Sequence, residues 1–158
     1  MSEKSAKFWI DKFKLERHPI QNGYFKEVFR DDLKVKHPES KEERSASTLI
    51  YYLHLPEGPL NSETLFFKLK STETTHFYTG KPVTIYYIND DKKLDKIVLG
   101  HENDLNYSVK PGTWFSRFLD VPKRDGNQNE EEFALVGVSL APGFDMKDLK
   151  TAKYSEIL

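Results

Sequence analysis

The chain has 158 residues, no cysteine, and 24 basic against 25 acidic side chains. That length suits one domain around one core, and the near-zero charge balance lacks the Lys and Arg surplus that a phosphate backbone needs, so no nucleic acid partner is expected. Without cysteine there can be no disulfide, thiolate nucleophile or sulfur-ligated zinc, and no apolar run reaches signal-peptide or membrane-spanning length, so the expectation is a soluble cytoplasmic protein with no membrane partner.

Between Ser5 and Leu15 the apolar Phe8, Trp9, Phe13 and Leu15 recur at roughly helical spacing, which predicts a short amphipathic helix ended by His18-Pro19. Asn22-Gly23 supplies a turn before YFKEVFR. Residues 31–47, DDLKVKHPESKEERSAS, are charged and without periodicity, and read as a solvated loop.

From there on, short β-branched and aromatic runs alternate with turn residues. They are TLIYYLHL (48–55), TLFFKLK (64–70), THFYTG (75–80), VTIYYI (83–88), KIVLG (96–100), YSVK (107–110), WFSRFL (114–119) and FALVGVSL (133–140). The breaks between them include Gly80-Lys81-Pro82, Pro111-Gly112 and Asp125-Gly126-Asn127. Such spacing predicts an all-β antiparallel sandwich or barrel. In TLFFKLK the alternation puts Leu65, Phe67 and Leu69 on one, inward face. TLIYYLHL is apolar or aromatic on both faces and so calls for a cover, from the N-terminal helix or a second subunit. Asp145 can cap a helical turn in the tail.

Several segments together resemble the small cupin-like branch of the cupin superfamily. They are HPIQNGYFKEVFR (18–30), RSASTLIYYL (44–53), ETTHFYTG (73–80), KPGTWF (110–115) and LVGVSLAPGFD (135–145), in that order. The resemblance implies an all-β double-stranded β-helix, or jelly roll, usually a homodimer. It would be one cupin domain over 1–158, with an N-terminal helix in 1–17, the barrel in 18–145 and a tail in 146–158. Metal-using cupins carry two His, a Glu and a later His as ligands. Here Glu73 and Gly80 keep the Glu-to-Gly spacing, but the His positions fall on or near Leu65, Phe67 and Phe115. The resemblance therefore implies no metal and no cofactor, with a site built from Glu73 and His76 or His54 as the lesser alternative.

A carboxylate in a lumen lined by Leu65, Phe67 and Phe77 would be desolvated, its pKa would rise, and Glu73 becomes a candidate general acid or base. The plainer reading pairs it with Lys68 or Lys70. Strand parity puts Glu73 and His76 on opposite faces unless a bulge intervenes, whereas His76 and Tyr78 share one. Metal-free sugar epimerases of the cupin superfamily rely on a His base and a Tyr acid, so the catalytic candidates are Glu73, His76 and Tyr78. Candidate ligand-binding residues are Phe67 and Phe115 on the lumen, Trp114 for stacking, and Arg44 and Lys68 as anchors for an anionic group. Two functions are expected. The first is a metal-independent isomerase or epimerase acting on a carbohydrate-like or other small polar substrate; the second is a non-catalytic binding or storage-like cupin whose lumen is packed shut by Phe67, Phe77 and Phe115. An open, polar-rimmed lumen would favour the enzyme.

Overall fold

The computed structural model describes residues 4–123 and 132–157, so the expected break at Asp125-Gly126-Asn127 lies outside the described residues. Helix α1 spans Ala6–Phe13. Ser5 caps its first turn by accepting a hydrogen bond from the Phe8 amide at 3.1 Å, and Lys14 closes it in the left-handed conformation. None of the described helices is long and apolar enough to cross a membrane.

Two antiparallel sheets face each other. The first has six strands in the order β1 (Glu16–Arg17), β2 (Gly23–Arg30), β5 (Thr48–His54), β12 (Ala134–Ala141), β7 (Thr72–Gly80) and β10 (Asn106–Val109). The second has five, in the order β13 (Lys150–Lys153), β6 (Leu65–Lys68), β11 (Phe115–Phe118), β8 (Val83–Ile88) and β9 (Leu94–Leu99). The non-sequential neighbours are those of a jelly roll, as expected. The strands follow the apolar runs to within a few residues, and VTIYYI coincides with β8.

The alternation sorts side chains between three apolar clusters. Inward residues, among them Phe67, Leu69, Ile85, Phe115, Val136 and Val138, form the main core between the sheets. On the outer side of the six-stranded sheet, Leu53 and Leu135 pack with Tyr51 under Trp9 and Phe13 of α1, and the Phe13 and Tyr51 rings are 4.6 Å apart. The helix is thus a cover for the doubly apolar β5, and burying a side chain such as Leu53 contributes about 1.5–3 kcal/mol. On the outer side of the second sheet Phe66 stacks on Tyr154 at 5.3 Å. Tyr154 opens the short helix α2 (Tyr154–Ile157), so the tail supplies a cover as well as an edge strand.

The stretch 31–47 departs from the expected solvated loop. It forms a hairpin of β3 (Lys34–Lys36) and β4 (Glu43–Ser45), with His37, Arg44 and Ser45 buried. Arg44 explains the burial: its Nε and Nη2 donate to the two Asp148 carboxylate oxygens at 2.8 and 2.9 Å. Asp148 ends the 3-10 turn Met146–Asp148, which Asp145 caps as predicted by accepting from the Lys147 amide. His37 adds a second tie by donating from Nε2 to the Lys70 carbonyl at 2.9 Å.

Candidate functional site

Strand parity puts four polar side chains on facing inner surfaces. Glu73 and Thr75 point inward from β7, His54 from β5, and Arg117 meets them from β11 in the opposite sheet. Arg117 Nη1 donates to Glu73 Oε2 at 3.0 Å and to Thr75 Oγ1 at 3.1 Å, while Nε donates to His54 Nε2 at 2.9 Å. The Arg117 side chain is 5% exposed and that of Glu73 12%, so this ion pair clamps the two sheets together where little water screens it. Among the described residues no hydrogen bond engages Arg117 Nη2.

The clamp borders a cavity of about 230 Å3. Its polar lining is Glu73 and Arg117, with His18, Gln21, Glu27 and Thr48 around them. Most of the remaining wall is hydrocarbon or aromatic, from Phe25, Ile50, Tyr52, Phe67 and Phe115 to Val138 and the C-terminal Phe144 and Leu149. A smaller cavity of about 80 Å3 shares Arg117, Phe67 and Gln21 with it and is also lined by His54.

Burial and the guanidinium set the protonation of these groups. Burial pushes the Glu73 carboxyl up, against the opposing attraction of Arg117. His54 is held well below its usual value, by burial first and then by the Arg117 charge, and its Nε2 accepts from Arg117, so it is neutral with the proton on Nδ1. His18 is lowered for the same two reasons. Burial also raises the Tyr52 phenol, whose hydroxyl donates to the Asn22 carbonyl at 3.3 Å.

Residues 7–152 match the family described as Cupin superfamily (DUF985). The chain belongs to that cupin family. Among solved structures it is similar to a hypothetical protein from Leishmania major, at 29% identity and a TM-score of 0.76, covering 93% of this chain and 86% of that one. It is also similar to a protein from Shewanella oneidensis, at 23% identity and a TM-score of 0.70, over 98% of this chain and 92% of the other. A more distant fold neighbour is the Streptomyces nucleoside dehydratase Pac13, with 13% identity, a TM-score of 0.55 and coverage of 97% and 92%. No curated protein matches.

Metal-using cupins raise the question of whether this cupin could hold an ion in the same place, and the donor set does not fit. Leu65, Phe67 and Phe115 have no lone pair to offer. The acid that remains, Glu73, and the nearby imidazole, His54, both already accept hydrogen bonds from a fixed guanidinium, whose charge would repel a metal cation. The described residues contain no group of three or more His, Cys, Asp or Glu placed to hold a metal.

Of the residues singled out in the sequence, Glu73, Phe67 and Phe115 line the cavity. His76 and Tyr78 do not. His76 Nε2 is 3.2 Å from Ser139 Oγ on the outer face of the six-stranded sheet, opposite to Glu73 as parity requires. Between the pairs Leu135–Thr79 and Val136–Phe77 the register slips by one residue. This leaves Tyr78 as the extra residue of a bulge, 41% exposed, its ring lying over Gly137. The bulge falls C-terminal to His76 and so does not turn that side chain inward. Lys68 and Trp114 also lie outside the lumen, the Lys68 ammonium 4.7 Å from the Trp114 ring centre, and Arg44 is committed to Asp148. The partner of Glu73 is Arg117, not Lys68 or Lys70.

Arg117 and His18 were missing from the sequence-level candidates. The signal for Arg117 was parity within WFSRFL: if Phe115 faces the lumen, so does the residue two further on. An arginine there, in a strand otherwise apolar, needs an acid across the barrel, and Glu73 was the acid expected inside.

Proposed function

We propose that this cupin binds a small organic molecule between its two sheets and that Glu73 exchanges a proton with it, as in a metal-independent isomerase or epimerase. The observation that carries the reading is one buried carboxyl, raised by burial and held by a guanidinium, at the wall of an open cavity of about 230 Å3. Phe67 and Phe115 line that cavity without filling it, which favours the open-lumen expectation over the packed one. His76 and Tyr78 have no part in this proposal, because they sit on the far side of the sheet. A bound uridine is recorded for Pac13, a protein of the same fold, which is compatible with a ligand in the lumen here.

A second reading, a non-catalytic binder, draws on the engagement of Glu73 Oε2 by Arg117. A thermal-shift screen of sugars, nucleotide sugars, carbonyl compounds and organic acids, with and without divalent cations, tests the proposal. An organic compound should raise the melting temperature and cations alone should not. Solvent deuterium should enter the bound compound with the wild-type protein and fail to do so with Glu73→Gln. Strong stabilisation by a cation alone overturns the metal-independent assignment, and equal exchange in Glu73→Gln removes Glu73 from the chemistry.

A further inference from the structure

The HPIQNG turn holds its histidine in one tautomer. His18 Nδ1 accepts hydrogen bonds from the backbone amides of Ile20 and Gln21, at 3.1 and 3.0 Å. Both are N–H donors, so Nδ1 must offer its lone pair and the ring proton is on Nε2, at the edge facing away from the turn. The ring lines the cavity, wedged 4.8 Å from the Phe25 ring and 5.5 Å from that of Tyr52. Arg117 approaches the same Tyr52 ring, its Cζ 5.7 Å from the centre. The wall of the lumen thus sets the His18 ring, with its N–H on Nε2, and the Arg117 guanidinium beside the Glu73 carboxylate, with Gln21, Glu27 and Thr48 around them.

Charge and wall chemistry narrow what fits. Glu73 and Arg117 neutralise each other, His18 is uncharged, and the other acid on the wall, Glu27, is paired with Arg30 at 2.6 Å. No net charge is left to attract an ionic ligand. The wall between the polar groups is Phe25, Ile50, Phe67, Phe115, Val138 and Leu140, which offers few partners to the several hydroxyls of a polyol.

Building on the reading of the lumen as the ligand site, we propose that its substrate is a neutral, enolisable carbonyl compound with an apolar body, whose oxygen is held by His18 Nε2–H and Arg117. The Glu73 carboxylate takes a proton from the carbon next to the carbonyl. The C–H pair becomes a C=C bond and the C=O π pair moves onto oxygen, where the two donors stabilise the enolate. Return of a proton from Glu73 to the same carbon, after exchange of the carboxyl proton with solvent, gives isotope exchange, and transfer to the oxygen gives the enol. No other reactant is required.

Phenylacetone is a suitable probe, compared with its secondary alcohol, with phenylacetate and with glucose. Binding to the full chain is read by calorimetry, and exchange at the benzylic carbon by NMR in deuterium oxide. Phenylacetone should bind at least about tenfold more tightly than the other three and exchange faster than in buffer. His18→Asn keeps an acceptor for the two turn amides but removes the ring N–H, so it should keep its melting temperature and bind phenylacetone about tenfold more weakly. In the wild-type protein the His18 Nε2–H resonance should shift on binding, a readout independent of that variant's folding. Preferential binding of phenylacetate or glucose, no binding of any of the four, or an unshifted resonance overturns the proposal. Val138→Phe separates this from the broader reading. If a probe binds that filled lumen as it binds wild type, the lumen is not the ligand site at all.

Discussion

Arg117 is the residue on which the interior depends. It is the cation for Glu73, the donor to His54 and Thr75, and a neighbour of Tyr52, and it reaches all of them from the opposite sheet. Replacing it with Met leaves a buried carboxylate without a partner, which should cost about 3–5 kcal/mol in denaturant unfolding. The double variant Glu73→Leu with Arg117→Leu should recover much of that loss, since an apolar pair of suitable shape avoids the desolvation of both charges. A double variant as unstable as Arg117→Met alone would mean that packing, not charge, sets the cost.

The histidines around Arg117 add a pH dependence of definite sign. Both His54 and His18 are lowered below 6.5 by burial and then by the Arg117 charge. The unfolded chain takes up protons first, so the stability they contribute is full above about pH 6.5 and is lost as pH falls towards their folded-state values. Glu73 acts in the opposite sense. Its raised value favours the fold at acidic pH, and that contribution fades as pH rises from 4.5 through its folded-state value. Melting temperature should therefore fall on acidification below about pH 6.5, and His54→Gln, which can still accept from Arg117, should flatten the slope. An unchanged slope would place the titration elsewhere. Much of this site was legible in the sequence. Parity separated Glu73 from His76, and the same rule applied to Phe115 would have brought Arg117 inside. The role of His18 was not legible, because it depends on two backbone amides of the turn that follows it.

At the scale of elements, the strands were readable because their apolar runs carry period-two patterns, and β5 announced its cover by being apolar on both faces. The β3–β4 hairpin was not readable. Its burial comes from an arginine pairing with an aspartate near the other end of the chain and a histidine bonded to the Lys70 carbonyl, and no local periodicity records such pairs. The tail was half-readable: Asp145 marked the 3-10 turn, but KTAK has no alternation of its own and becomes β13 by adding to the edge of β6. The Arg44–Asp148 pair joins these two weakly patterned pieces. Asp148→Asn should raise amide hydrogen exchange in β3, β4 and the 3-10 turn while leaving β12 protected, because it removes the main tie and leaves the His37–Lys70 hydrogen bond to hold the hairpin. Loss of protection throughout the six-stranded sheet would show instead that the hairpin is part of the global folding unit.

On the scale of the whole molecule, a jelly roll encloses its lumen between two sheets, and in this cupin both the C-terminal segment carrying Phe144 and Leu149 and the HPIQNG turn line it. The guanidinium of Arg117 sits against the acid and imidazole that could otherwise have served a metal, so the interior has a fixed protein cation with a base beside it. The fold supports many chemistries, and the assignment here rests on that local arrangement alone. The most direct test is a crystal structure of the protein soaked with the compound that stabilises it most in the screen, in the presence of divalent cations. The account predicts ligand density in the lumen against Glu73, Arg117 and His18, with the Glu73–Arg117 bond retained and no ion beside the acid. A cation coordinated by Glu73, or a ligand bound away from the lumen, would contradict it.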